Sequence, residues 1–178
     1  WIGGSANQTA MKEIYEVGNN IFSSMITVDV IVANIWMAVL LLLASNAKRI
    51  DARTGADTTA LNELRANVEE FERKHARIPK LEDIIFICAI GFAFLYILIA
   101  TVGLHMDVTQ IFESPKFFIL GTIWMLVHAI LMLSVAKLIK APLFYMAVGS
   151  QANVGGAASA PVVASAFHPA LAPVGVLL

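Results

Sequence analysis

The chain has 178 residues, 58% hydrophobic and 14% charged, with a mean hydropathy of +0.76 and a net charge of -1. That balance excludes an ordinary soluble domain and assigns the chain to a bilayer. It also excludes a nucleic-acid partner, which needs clustered, uncompensated Lys and Arg, while a single cysteine, Cys88, excludes an intrachain disulfide.

The first element is a short stretch of small and polar residues, Trp-Ile-Gly-Gly-Ser-Ala-Asn at 1–7, which is echoed by Asn-Val-Gly-Gly-Ala-Ala-Ser at 153–159. At membrane depth such backbone is tolerated only against protein or a wet cavity. Paired interruptions in two halves of a membrane protein point to a transporter's binding site. Residues 3–9 are therefore expected to be the non-helical middle of a broken helix whose second half runs through 11–15. Lys12 and Glu13 follow the break and suit either a gate ion pair or an interfacial anchor.

Residues 21–44 form an apolar run long enough to span. The run carries one charge, Asp29, and one amide, Asn34, with Asn34 expected to bond to another helix. Next comes a polar segment, 45–83, with eight of the twelve basic side chains, which the positive-inside rule makes cytoplasmic. Within it Leu61, Leu64, Val68, Phe71, His75 and Ile78 recur at helical spacing. Asp57 or Thr58 is the expected cap, Glu69 with Arg73 and Glu70 with Lys74 are the expected pairs, and Pro79 is the expected stop.

Residues 84–103 and 117–136 are two further spans, joined by the polar turn 107–116 and followed by Lys137 and Lys140 on the cytoplasmic side. From Pro142 onward the apolar run 143–148 meets Gly149-Ser150-Gln151-Ala152-Asn153, then Gly155-Gly156 and Pro161. Glycines cost about 1 kcal/mol each in a helix and an interior proline about 3 kcal/mol, so two half-helices with a non-helical middle are expected. The fold class is thus all-α: a polytopic transmembrane helix bundle with two broken, discontinuous helices and an internal repeat. Three regions follow, 1–44, 45–83 and 84–178. Because the chain opens at Trp1 without a signal sequence and stops inside the apolar run 174–178, it is expected to be a fragment of a larger transporter-like fold.

Three motifs carry a family resemblance: Trp-Ile-Gly-Gly-Ser-Ala-Asn-Gln-Thr-Ala-Met-Lys-Glu at 1–13, Val-Asp-Val-Ile-Val-Ala-Asn-Ile-Trp-Met at 28–37, and Gly-Ser-Gln-Ala-Asn-Val-Gly-Gly-Ala-Ala-Ser-Ala-Pro-Val-Val-Ala at 149–164. Together they resemble the YjcL-like family of integral membrane proteins, domain-of-unknown-function family 819. The likeness implies a place beside the cation:proton antiporter and anion transporter folds, in which two broken helices cross at mid-membrane. It implies no established activity. It also implies that the helix after the first broken one carries an acidic ion-binding residue, a position that Asp29 matches. Family members have a longer stretch between Gly91 and Phe92, which implies that the span 84–103 joins two helix halves across an omission.

Asp29 is the sharpest candidate, because a carboxylate in a span is costly and marks ion or proton pathways. A neighbouring cation lowers its pKa while desolvation raises it, so one aspartate can exchange a proton for sodium. The expected ion-binding set is Asp29, Asn7 and Asn153, and the expected substrate-binding set is Gln8, Thr9, Ser150, Gln151 and Ser159. His128, mid-span, is a candidate proton relay, with a helix-bridging role as the alternative. His105, Asp107 and His168 are read as interfacial.

The expected function is a secondary transporter coupling H+ or Na+ to a small solute or ion, with no cofactor beyond that coupling ion and no other metal. A non-transporting scaffold is the alternative. An intramembrane hydrolase, with Ser5, Ser150 or Ser159 as nucleophile and His128 as base, is remote, since no motif ties these residues together. The expected partners are the lipid bilayer and the solute, a homodimer is left open, and the expected location is the cytoplasmic (inner) membrane of a bacterium. Counted from a cytoplasmic 45–83, both broken helices run from inside to outside, whereas inverted repeats require opposite directions. A missing crossing, a parallel repeat or a different loop assignment each satisfies the count.

Overall fold

The computed structural model describes residues 4–75, 80–107 and 109–177, and those residues are helical with short connections. The long helices are α2 (Asn19–Ser45), α5 (Leu81–His105) and α7 (Pro115–Leu138). Shorter ones are α1 (Gly4–Ile14), α3 (Ala47–Thr54), α4 (Thr59–His75), α6 (Gln110–Glu113), α8 (Leu143–Gly155), α9 (Ala160–Phe167) and α10 (Ala172–Leu177). Among the described residues, α2 and α7 are long and apolar enough to cross a membrane by length and composition.

α2 is the organising element. Its stripe Phe22, Ile26, Asp29, Trp36 and Leu40 is buried, and α1, α7, α8 and α9 all pack on the helix. The spacing of four, three, seven and four residues keeps those side chains on one face. Ser45 and Asn46 close the helix by donating to the Leu42 carbonyl at 2.7 and 3.1 Å. α5 and α7 instead leave large apolar side chains outward, among them Phe86, Phe94, Ile123 and Leu131.

The basic segment folds as α3 and α4. α3 ends at Gly55, whose φ of +67° favours glycine. Asp57 starts α4 as expected, its Oδ1 accepting from the Thr59 backbone N–H at 3.0 Å. Glu70 pairs with Lys74, while Glu69 meets Arg65 at 3.2 Å and His168 at 3.4 Å. Leu61 and Leu64 pack against the core, but Phe71 is 62% exposed and stacks on His75. The expected end of this helix at Ile78 and Pro79 lies outside the described residues, as does Gly3 of the first expected break.

Several expectations are corrected. α1 is continuous from Gly4, so residues 4–9 are helical, with the one left-handed residue, Gly4 at φ +75°, at the helix start. α8 likewise runs through Gly149, Asn153 and Gly155, because a break needs only the residues that turn the chain. That turn is Gly156, at φ +72° and ψ -167°, followed by a single 3-10 turn at Gly156–Ala158. α5 is one helix through Gly91 and Phe92, which leaves the expected join of two helix halves untouched. Asn34 donates to Val30 of its own helix at 2.6 Å and reaches no other helix through that bond.

The larger correction concerns direction. The start of α8 lies at the α3 end of the bundle, where the Leu143 N–H donates to Asp51 Oδ1 at 2.9 Å and the Asp57 N–H donates to the Lys140 carbonyl at 3.3 Å. The end of α9 is at that same end: Phe167 meets Phe144 edge to face at 5.5 Å, and His168 reaches Glu69. α8 and α9 are therefore the two arms of a hairpin, not two halves of one crossing helix. Its arms pack on each other, and α10 folds back along α9 with Gly175 against Pro161.

Candidate functional site

The hairpin tip meets the start of α1. A Cβ placed on Gly4 would lie 3.1 Å from the Gly155 carbonyl oxygen, so the two glycine-rich segments lie against each other. α1 has 11 residues and α8 has 13, giving helices of about 16 and 20 Å, each roughly half a bilayer's depth. They approach from opposite ends of α2 and abut near its middle.

Asp29 is 5% exposed, on the stripe of α2 that faces this junction. It lies three residues from the midpoint of a 27-residue helix, about 4.5 Å along the axis. With Gln8 and Met11 of α1, and with Val17, Phe22 and Met25, it lines a cavity of about 200 Å³. Two of the expected site residues, Gln8 and Asp29, thus share one cavity. Phe22, Met25 and Asp29 follow at i, i+3 and i+7 on α2, and Gln8 and Met11 at i and i+3 on α1, which aims both helices' side chains into one space. Lys12, one turn after Gln8, holds its ammonium 5.1 Å from the Phe22 ring centroid and 3.5 Å from Glu13.

A second polar group lies two turns along α2. Trp36 is seven residues from Asp29, about 10.5 Å away on the same face. Its indole N–H donates to Ser150 Oγ at 2.9 Å, and His128 Nε2 lies 2.8 Å from the same oxygen. At the next residue of α8, the Gln151 amide donates to Ser159 Oγ at 2.8 Å across the hairpin. Gln151 is 2% exposed, and its Oε1 has no hydrogen-bond partner among the described residues. Ser150 therefore ties α8 to α2 and α7, and Gln151 ties α8 to the hairpin turn.

The other expected residues lie apart. Asn7 and Asn153 occupy exposed positions on α1 and α8, Thr9 is half-buried, and none of the three lines the Asp29 cavity. Asp107 accepts from the Thr109 N–H at 2.9 Å in a connecting turn, and its carbonyl takes a hydrogen bond from the buried Thr27. A larger cavity of about 450 Å³ lies at the base of the bundle between α3, α4 and the α9–α10 turn, with Lys48, Arg65 and His168 in its wall. It contains none of the residues expected to bind ion or substrate. Among the described residues, no three His, Cys, Asp or Glu groups gather as a metal site.

Sequence reasoning passed over Trp36, Phe22, Met11 and Met25. An aromatic or thioether in an apolar run reads as lipid-facing or core, and only the seven-residue steps from Phe22 to Asp29 to Trp36 mark them as one face.

The family model described as Protein of unknown function (DUF819) matches residues 1–94 and 88–178. The chain belongs to the DUF819 family. The two matched segments of this DUF819 chain overlap at 88–94, inside α5 and around Gly91 and Phe92. No curated protein and no solved structure matches it.

Proposed function

We propose that this DUF819 chain is part of an integral membrane secondary transporter that couples H+ or Na+ to the movement of a small solute or ion, with Asp29 as the coupling residue. One observation carries the reading: a buried carboxylate, near the midpoint of the longest helix, opening on a cavity walled partly by a half-length helix. A charge at that depth costs about 2.5–3.5 kcal/mol on insertion scales, a cost that persists where the group has work to do. The outward apolar faces of α5 and α7 support a lipid environment, since a water-soluble protein rarely leaves so large a continuous apolar surface. The abutment of α1 on α8 supports the carrier reading further, because helix ends inside a bilayer are tolerated where they face protein or a polar cavity. The proposed location is the cytoplasmic membrane of a bacterium, with α3 and α4 on the cytoplasmic side.

The antiporter-like fold group implied by the sequence motifs belongs to this proposal. The hairpin at α8 and α9 departs from a pair of crossing broken helices, so the kinship rests on the motifs and the mid-depth junction alone.

The test is ion flux in proteoliposomes loaded with pH and sodium reporters. Asp29→Asn is expected to lower cation flux at least tenfold, and Asp29→Glu to retain part of it. Flux that survives Asp29→Asn unchanged removes the proposed site.

The short distance from Ser150 to His128 favours a second reading, an intramembrane hydrolase. Against it, Ser150 is 0% exposed, so its hydroxyl has no access to a substrate, and its oxygen is engaged by the Trp36 indole N–H. A fluorophosphonate probe is expected to leave Ser150 unmodified; labelling there would revive the enzyme reading.

A further inference from the structure

We propose that the solute taken up by the Asp29 cavity is a small organic cation, an alkylammonium compound, rather than an alkali ion. The inference rests on the transporter reading, takes the form of it in which the coupling ion at Asp29 is H+, and names its substrate class.

The chemistry of the wall carries it. A hard cation requires a shell of oxygen ligands. Among the described residues, the side chains lining this cavity supply oxygens from Asp29 and Gln8, and the rest of the wall is Met11, Val17, Phe22 and Met25. Its 200 Å³ corresponds to about six or seven waters' share of liquid volume, far more than a bare ion fills. One carboxylate, one amide oxygen, one aromatic face and two polarisable thioethers are the groups that recognise a cation with an apolar skin: the charge pairs with the carboxylate, and the alkyl groups lie on ring and sulfur.

The protein itself places such a group on one residue of the wall. The Lys12 side chain, only 16% exposed, rests its primary ammonium on Phe22. The ring is thus a cation platform in the resting chain, and Lys12 is its built-in occupant. An incoming ammonium is repelled by Lys12 and attracted by Asp29, and Glu13, 3.5 Å from the Lys12 nitrogen, offers Lys12 an alternative partner when it yields the ring.

The experiment is calorimetric titration of the protein in lipid nanodiscs with tetramethylammonium chloride, and separately with sodium chloride, at constant ionic strength. Saturable tetramethylammonium binding is expected, and an equal concentration of sodium is expected not to compete. Asp29→Asn is expected to weaken it at least tenfold and Phe22→Leu roughly three- to tenfold. Lys12→Met is expected to tighten it, a gain that damaged folding does not produce. Sodium binding with no tetramethylammonium binding, or tetramethylammonium binding indifferent to Asp29→Asn, overturns the proposal. Asp29-dependent proton or sodium flux with no ammonium binding overturns it as well and leaves the transporter reading standing. Ammonium binding without flux of any cation keeps the site assignment and removes the carrier.

Discussion

At the residue scale, the hairpin tip depends on a missing side chain. A Cβ on Gly155 would lie 2.1 Å from Ser159 Oγ and 2.5 Å from Gln151 Nε2, the two atoms whose hydrogen bond spans the hairpin. Gly155→Ala therefore forces that bond open, and overpacking at such a site costs about 1–3 kcal/mol. Gly149, one and a half turns earlier on the same helix, has nothing within 4 Å of its added Cβ. Gly149→Ala is expected to be neutral or to raise the midpoint of thermal unfolding, since alanine is favoured over glycine by roughly 1 kcal/mol inside a helix. Thermal melts of both variants in detergent, one lowered and one not, check the packing of the tip. Equal melts would mean that Ser159 and Gln151 move aside without cost. Asp29 and Gln8 stood out in the sequence as polar groups beside apolar runs, and the apolar part of the cavity's wall did not. A carboxylate in an apolar run stands out by its cost, whereas Phe22 and Met25 become site residues only through what packs beside them.

At the element scale, the end of a helix is set by a few polar atoms, and α4 shows how this couples to pH. The Asp57 carboxyl is held below its ordinary value of 3.8, chiefly by the hydrogen bond from the Thr59 backbone N–H and next by the Thr59 side chain. A carboxyl with a lowered folded-state value contributes its stabilisation in full above the unfolded value and loses it as pH falls through the lower, folded one. The first turn of α4 is thus expected to stay protected from amide hydrogen exchange down to about pH 4 and to lose protection below it. Asp57→Asn, which keeps an acceptor and removes the titration, is expected to abolish that step; a step that persists in the variant assigns it to another group. This cap, the Glu70–Lys74 pair and the start of the apolar seam at Leu61 and Leu64 were readable, because each rests on residues no more than four apart. α1 and α8 were misread by the same local logic. Helix propensity sums the cost of glycines one at a time, but α8 is held by Asp51 at its start and by Trp36 and His128 along its flank, contacts 92, 114 and 22 residues distant in sequence. Tertiary packing of that kind overrides propensity.

At the scale of the whole molecule, the count of crossings is what composition could not deliver. Hydropathy and basic residues locate spans and the side of each loop, yet they are blind to a segment that enters and leaves by one face. The hairpin removes the conflict in which both interrupted helices ran the same way: both ends of 143–167 lie at the α3 end of the bundle, so no direction is assigned to it. In the proposed transporter, with α5 crossing beside the candidate spans α2 and α7, Glu63, Ala141 and Pro169 fall on one side and Asn20 on the other. Single cysteines at these four positions, in a Cys88→Ser background in sealed vesicles of known orientation, test the arrangement with a membrane-impermeant maleimide. Glu63→Cys, Ala141→Cys and Pro169→Cys are expected to label together from the side of α3 and α4, and Asn20→Cys from the opposite side. Labelling of Pro169→Cys together with Asn20→Cys would mean that the segment from α8 to α9 crosses after all. The junction of Gly4 with Gly155 would then belong to a different arrangement of the two half-length helices, and the Asp29 cavity would open toward a different side.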